Sequence, residues 1–95
     1  MKNLQEFKDS LESETPDMNL SVQLKALWYD GKGDWNEAHH QVDHLDDLLS
    51  AHIHAYLHRK EGDIRNADYW YRKARQARPN LTLEEEWEKL VLLYL

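Results

Sequence analysis

The chain has 95 residues, a formal net charge of −6, 41% hydrophobic residues, four tryptophans and no cysteine. These values predict one small domain with its own core, and they exclude disulfides, cysteine-based zinc sites and a thiol nucleophile. An acidic chain repels nucleic-acid phosphates, no apolar run approaches the roughly 20 residues of a membrane span, and residues 1–5 lack signal-peptide character. We therefore expect a cytoplasmic protein that binds neither nucleic acid nor membrane.

The first three predicted helices are separated by helix-breaking and helix-capping residues. Apolar residues at helical spacing predict an N-terminal helix that ends before Pro16, because proline cannot continue it. A second helix begins at Asn19 or Ser21, both favourable N-cap residues, and ends at Asp30 before two glycines. A third begins at Asp34 and carries an apolar stripe along one side.

A turn is predicted in the middle of a long uninterrupted stretch. Residues 34–61 contain no glycine or proline, and a single helix of that length is unusual in so short a chain. We place the turn near Asp46 and Asp47, because either carboxylate can cap a new helix. The fourth helix then covers residues 48–61 and ends at Gly62.

The last two predicted helices complete an all-α chain of about six helices. The fifth is capped by Asp63 and ends before Pro79. The sixth begins at Thr82, where Glu85 three residues later completes a capping box. No segment alternates with period two for long enough to form a strand.

A six-residue segment occurs twice, at a separation of 29 positions, as GDWNEA in residues 33–38 and GDIRNA in residues 62–67. In each copy the glycine suits a left-handed helix end, the aspartate caps the next helix, and the alanine lets two helices approach closely. The copies predict two helix–turn–helix hairpins. The predicted units are 1–18 (N-terminal helix and linker), 19–46 (first hairpin), 47–78 (second hairpin) and 79–95 (C-terminal capping helix).

The hairpins resemble the tetratricopeptide repeat family. In the second hairpin, Gly62 stands at the family's turn glycine, Ala67 and Ala74 at its small positions, Tyr71 at its aromatic position and Pro79 at its terminal proline. Ala55 stands at the small position of the first helix. The first hairpin matches at Ala26, Tyr29, Gly33 and Ala38, with Val42 and Leu45 in place of the later aromatic and alanine. The two hairpins are 29 residues apart in the sequence, whereas repeats of the family are usually about 34 residues long.

A second resemblance is carried by three strings: Trp28-Tyr29-Asp30, Gly33-Asp34-Trp35 and residues 54–63. They are similar to a group of small bacterial helical-repeat proteins to which no activity is assigned. This resemblance implies a bacterial source and adds no chemistry.

The tetratricopeptide resemblance implies a scaffold whose first helices line a concave groove for an extended peptide or a partner helix. The groove residues that it implies are Leu20, Gln23, Leu27 and Asp30 in the first hairpin, and Leu49, His52, Tyr56, Arg59 and Lys60 in the second. The two cations suit a partner with carboxylates. We therefore expect a non-enzymatic module that binds a protein or peptide. The partner can be an acidic segment.

Self-association is one alternative, because residues 91–95 are apolar on every side. We expect the core to surround this end, since a short repeat array needs closure. The corresponding expectation is a monomer that forms at most a weak homodimer.

A histidine metal site is the other alternative. His40 and His44, like His54 and His58, are four residues apart and can share a helix face, a spacing that chelates zinc. The family register directs His54 and His58 into helix packing, and no glutamate stands between either pair as in a metalloprotease. We expect structural histidines, no metal or other cofactor, and no catalytic residues.

Overall fold

The computed structural model describes residues 3–95, which contain six α-helices. They are α1 (Leu4–Ser10), α2 (Val22–Gly31), α3 (Trp35–Val42), α4 (Leu48–Lys60), α5 (Ile64–Lys73) and α6 (Leu83–Tyr94). These residues contain no strand, so the all-α prediction is confirmed. None of these helices has the length and apolarity needed to cross a bilayer.

Side-chain caps set the beginnings of the helices where the sequence predicted them. A side-chain oxygen accepts a hydrogen bond from the backbone three residues later at Ser21, Asp34, Asp47, Asp63 and Thr82. At α6 the Glu85 carboxylate also bonds back to the Thr82 N–H, which completes the capping box. The turn predicted near Asp46 and Asp47 is therefore present, with Asp47 as the cap of α4.

The repeated segment builds the same turn twice. Gly33 and Gly62 have φ angles of 86° and 89°, a left-handed conformation that glycine adopts without strain. The aspartate after each glycine donates its N–H to a carbonyl five residues earlier, at 2.9 Å and 3.0 Å respectively. Ala38 and Ala67 are fully buried. The two copies are thus equivalent in structure as well as in sequence.

The helices form three layers with α2 and α4 in the middle. Helix α3 packs against α2 and α4, α5 packs against α4, and α6 packs against α2 and α4 with α1 beside it, while Tyr71 of α5 reaches Glu86 of α6. Because α4 is covered on both sides, every residue from Ser50 to His58 is buried. Two contacts, His52 with Tyr94 and Arg59 with Glu86, show that α6 runs antiparallel to α4.

The C-terminal helix α6 does not stack on the end of the second hairpin, as a capping helix of a repeat array would. It lies across the first helices of both hairpins, where Trp87, Leu90 and Val91 join the main core with Leu27 and Leu57. The Trp87 indole donates to the Leu27 carbonyl at 2.9 Å. The reason is the apolar area that α2 and α4 present on this side, which a stacked cap would leave in water.

The expectation that the core surrounds the C-terminal end is wrong for three leucines. Val91 is buried, but Leu92, Leu93 and Leu95 are 59%, 54% and 39% exposed. A helix lying on a scaffold buries one face only, and α6 uses the face of Trp87, Leu90 and Val91 for the core. The remaining apolar side chains point to solvent.

Candidate functional site

The predicted binding face on α2 and α4 is covered by α6. Four of its residues are buried: Leu27, Asp30, His52 and Tyr56. Leu20, Gln23 and Arg59 are partly buried, whereas Leu49 and Lys60 are exposed. Helix α6 of the same chain contacts Leu27, His52 and Arg59, three residues of the face to which the family resemblance assigns a ligand.

Asp30 is the centre of the first buried polar network on this face. Its carboxylate accepts a hydrogen bond from the Tyr56 hydroxyl at 2.6 Å and another from the Lys60 ammonium at 2.8 Å. Burial, together with the Asp30 charge, raises the pKa of Tyr56, so its hydroxyl stays protonated and acts as a donor. Lys60 is thus held as the counter-charge of a buried acid.

Glu86 of α6 is the centre of the second network. It accepts from Arg59 at 2.8 Å and from the Tyr71 hydroxyl at 2.6 Å, while Arg59 also donates to the Leu81 carbonyl. Burial and the bond to Glu86 raise the pKa of Tyr71. Arg59 and Lys60, the two cations that suggested an acidic partner, are therefore each paired with a carboxylate of the same chain.

The opposite end of the face is also closed by contacts within the chain. Gln23 donates to the Ser50 hydroxyl at 2.9 Å, and Leu20 packs against the main core. His52 Nδ1 and the Tyr94 hydroxyl share a hydrogen bond of 2.6 Å. Burial, and to a lesser degree the charge of Lys89, lowers the pKa of His52 to about 4. His52 is therefore neutral near pH 7.

Five exposed leucines, which we call together the leucine patch, lie near the beginning of α4 and the end of α6. Its members are 39–59% exposed and comprise Leu48, Leu49, Leu92, Leu93 and Leu95. The bond between His52 and Tyr94 joins the two helices at this point, since the α4 leucines precede His52 by one turn and the α6 leucines flank Tyr94.

An open cleft of about 480 Å³ lies at the other end of the face, between the end of α2 and the beginning of α6. Leu11, Leu83 and Trp87 supply its apolar walls, and Asp30, Tyr56 and Lys60 come from the predicted face. Its volume is in the range of small-ligand sites. The cleft is thus an accessible part of the predicted groove beside α6.

The two predicted histidine pairs have different surroundings. His40 and His44 are exposed, and the His44 ring contacts the neighbouring Asp43 at 3.2 Å. His54 and His58 are buried on the side of α4 that faces α3 and α5, as the family register implied. Both pack against His39, a residue that the sequence analysis did not single out.

Comparison of the chain with protein-family models, with curated proteins and with solved structures finds no match.

Proposed function

We propose that the protein is a non-catalytic interaction module built from two tetratricopeptide-like hairpins, and that its docking surface is the leucine patch. The observation that carries this proposal is the exposure of Leu92 and Leu93 at 59% and 54%. Leu49, a member of the predicted binding face, belongs to the same surface. Burying these side chains at an interface removes apolar area from water, which is the main favourable term in association.

The partner that fits the leucine patch is a second copy of this chain. The leucine side chains of the patch carry no charge, so they add no repulsion between two copies of an acidic protein. Exposed Asp46 and Asp47 lie beside its α4 leucines, and exposed Lys89 lies one turn before its α6 leucines. In a two-fold dimer, Lys89 of each copy can approach the aspartates of the other. The surface is therefore self-complementary in both apolarity and charge.

Sedimentation velocity over a range of concentrations tests this proposal. We expect a reversible dimer with a dissociation constant on the order of 10–100 µM, because the patch is smaller than the roughly 800 Å² that each partner buries in a stable complex. The Leu92→Gln, Leu93→Gln double variant should remain a monomer of 11.4 kDa at these concentrations. Glutamine is chosen because it keeps a high helix propensity.

The matched control replaces two exposed apolar residues outside the patch. Ile64 and Tyr69 on α5 are 38% and 48% exposed, and the Ile64→Gln, Tyr69→Gln variant should dimerise like the wild type. A wild-type chain that stays monomeric at 1 mM contradicts self-association. So does a control that loses the dimer to the same extent as the patch variant.

Peptide recognition in the cleft is a second candidate, favoured by the position of the cleft on the predicted face. Its apolar walls and neutralised charges suit an uncharged side chain of a partner peptide. Acetyl-leucine amide is a simple probe, and we expect it to shift the backbone amide signals of Gly31 and Glu84, both of which line the cleft. A Leu83→Trp variant, which fills the cleft, should abolish these shifts. Spectra unchanged by the probe contradict this candidate.

A further inference from the structure

Three histidines converge between α3, α4 and α5, on the side of α4 away from α6. One ring nitrogen each from His39, His54 and His58 lies within 4.8 Å of the other two. The Nε2 atoms of His39 and His54 are 3.0 Å apart, and the ring centroids of His54 and His58 are 4.7 Å apart. We call this group the histidine cluster.

Carboxylates stand behind two of the three rings. His58 donates its Nδ1 proton to Glu61 at 2.5 Å, which leaves the lone pair on Nε2. The only hydrogen-bond partner of that Nε2 in the described chain is the Asn66 amide, at a long 3.3 Å. Asp43 lies 3.8 Å from Nδ1 of His39. A carboxylate on the far nitrogen is the usual support of a metal-binding imidazole, because it fixes the ring and the tautomer.

His54 has its two ring nitrogens in different surroundings. His54 is 4% exposed, and its Nδ1 is buried with no hydrogen-bond partner within residues 3–95. Whichever tautomer His54 adopts, its short contact with His39 employs only one of its two nitrogens. That contact uses Nε2 of both rings, so these are the two nitrogens placed to share a ligand, and Nδ1 of His54 is not one of them.

We propose that His39, His54 and His58 bind one Zn²⁺ ion. Zinc–imidazole bonds of about 2.0–2.1 Å in a tetrahedral site separate the ligand nitrogens by about 3.3–3.4 Å. The His39–His54 pair is within a few tenths of an ångström of that spacing, and a nitrogen of His58 lies within 4.8 Å of both. Three protein ligands leave a fourth position for solvent, on the side of the partly exposed His39.

The surroundings of the histidine cluster suit a divalent cation. Asp43 and Glu61 supply two negative charges beside three neutral imidazoles, which balances the charge of the ion. Trp35 stacks on His39 at 4.8 Å between centroids, and Trp70 stacks on His54 at 4.0 Å. These two indoles hold the rings in place and limit the access of water.

Calorimetric titration of chelator-treated, tag-free protein with ZnCl₂ tests the site. We expect one Zn²⁺ per chain with a dissociation constant below about 1 µM and a rise in melting temperature on binding. His39→Gln removes the most accessible ligand and should weaken binding at least about 100-fold. Glu61→Gln leaves all three ligands in place and should weaken binding about 10–100-fold, as loss of a supporting carboxylate does.

The matched control is the His40→Gln, His44→Gln double variant, which changes two exposed histidines from the same region of the chain. It should bind zinc like the wild type. Circular dichroism in chelator establishes that each variant is folded, and the tetrahedral absorption of Co²⁺ provides a readout independent of heat. Wild-type protein that does not bind at 100 µM Zn²⁺, or that binds no tighter than His39→Gln, overturns the proposal. Loss of binding in the control would move the site to the exposed pair and overturns it equally.

Discussion

The substitution Glu86→Gln removes the charge that ties α6 to the first-helix face. Glu86 is 1% exposed and accepts bonds from Arg59 and Tyr71. Glutamine has nearly the same shape as glutamate, so the change leaves the packing intact. The loss of unfolding free energy then reports the electrostatic contribution of Glu86. The Arg59 guanidinium, whose side chain is 16% exposed, then lacks its counter-charge.

The expected loss of stability is about 3–5 kcal/mol, the usual cost of removing one partner from a buried ion pair. The larger part of this cost arises because a buried cation remains without compensation. The bond from Tyr71 also loses its charged acceptor, which contributes to the upper end of the range. For a domain of this size, such a loss lowers the melting temperature by about 15 °C or more.

Urea denaturation followed by tryptophan fluorescence measures this effect directly. Glu88→Gln is the control, because Glu88 lies on the same helix and pairs with Lys8, but both side chains are about one-third exposed. That pair contributes at most about 1 kcal/mol. If Glu86→Gln costs no more than Glu88→Gln, the buried network does not hold α6 in place, and the reasoning is refuted.

Three further predictions concern pH and the glycines. Burial lowers the pKa of His52 and of His54 to about 4. Between pH 6.5 and pH 4 the unfolded chain therefore binds more protons than the folded chain, and the free energy of unfolding decreases as the pH is lowered. Together these histidines should cost about 4 kcal/mol between pH 7 and pH 5 in chelator, measured by urea denaturation, and equal stability at both values would contradict their burial. Gly62→Ala should cost about 1–2 kcal/mol because φ is +89° with free space around the new methyl, and an unchanged midpoint would contradict the left-handed turn. Gly31→Ala brings Cβ to 3.0 Å from the Trp87 ring, so it should destabilise the chain and alter Trp87 fluorescence, whereas a stabilising effect would show that α6 does not lie this close to α2.

The ends of the helices could be predicted wherever a local chemical signal marks them. Glycine in a left-handed turn and an aspartate or threonine cap are properties of a few adjacent residues, and the sequence shows them directly. The end of α5 lacks such a signal: the helix stops at Lys73, well before Pro79, and Arg75 takes a φ of 59°. The turn has the same backbone bond as the two glycine turns, from the Gln76 N–H to the Tyr71 carbonyl, but an arginine stands in its left-handed position, where the sequence gives no signal.

The location of α6 and the histidine cluster could not be predicted from spacing alone. An amphipathic helix with Trp87 and Leu90 on one face suits either a stacked cap or a filled groove, and the choice depends on which surface offers more apolar area. His39 does carry a signal, since it lies four residues after Trp35 and three before buried Val42. The spacing of His40 and His44 concerns one stretch of chain only, whereas the histidine cluster joins His39 of α3 to two residues of α4.

The central claim is that two copies of the chain meet through the leucine patch. The most direct measurement is an isotope-filtered nuclear Overhauser experiment on an equal mixture of ¹³C-labelled and unlabelled protein at 1 mM. We predict intermolecular contacts from the methyl groups of Leu92 and Leu93 to those of Leu48 and Leu49, and none from buried Leu27. An absence of intermolecular contacts, or contacts confined to another surface, would contradict the claim.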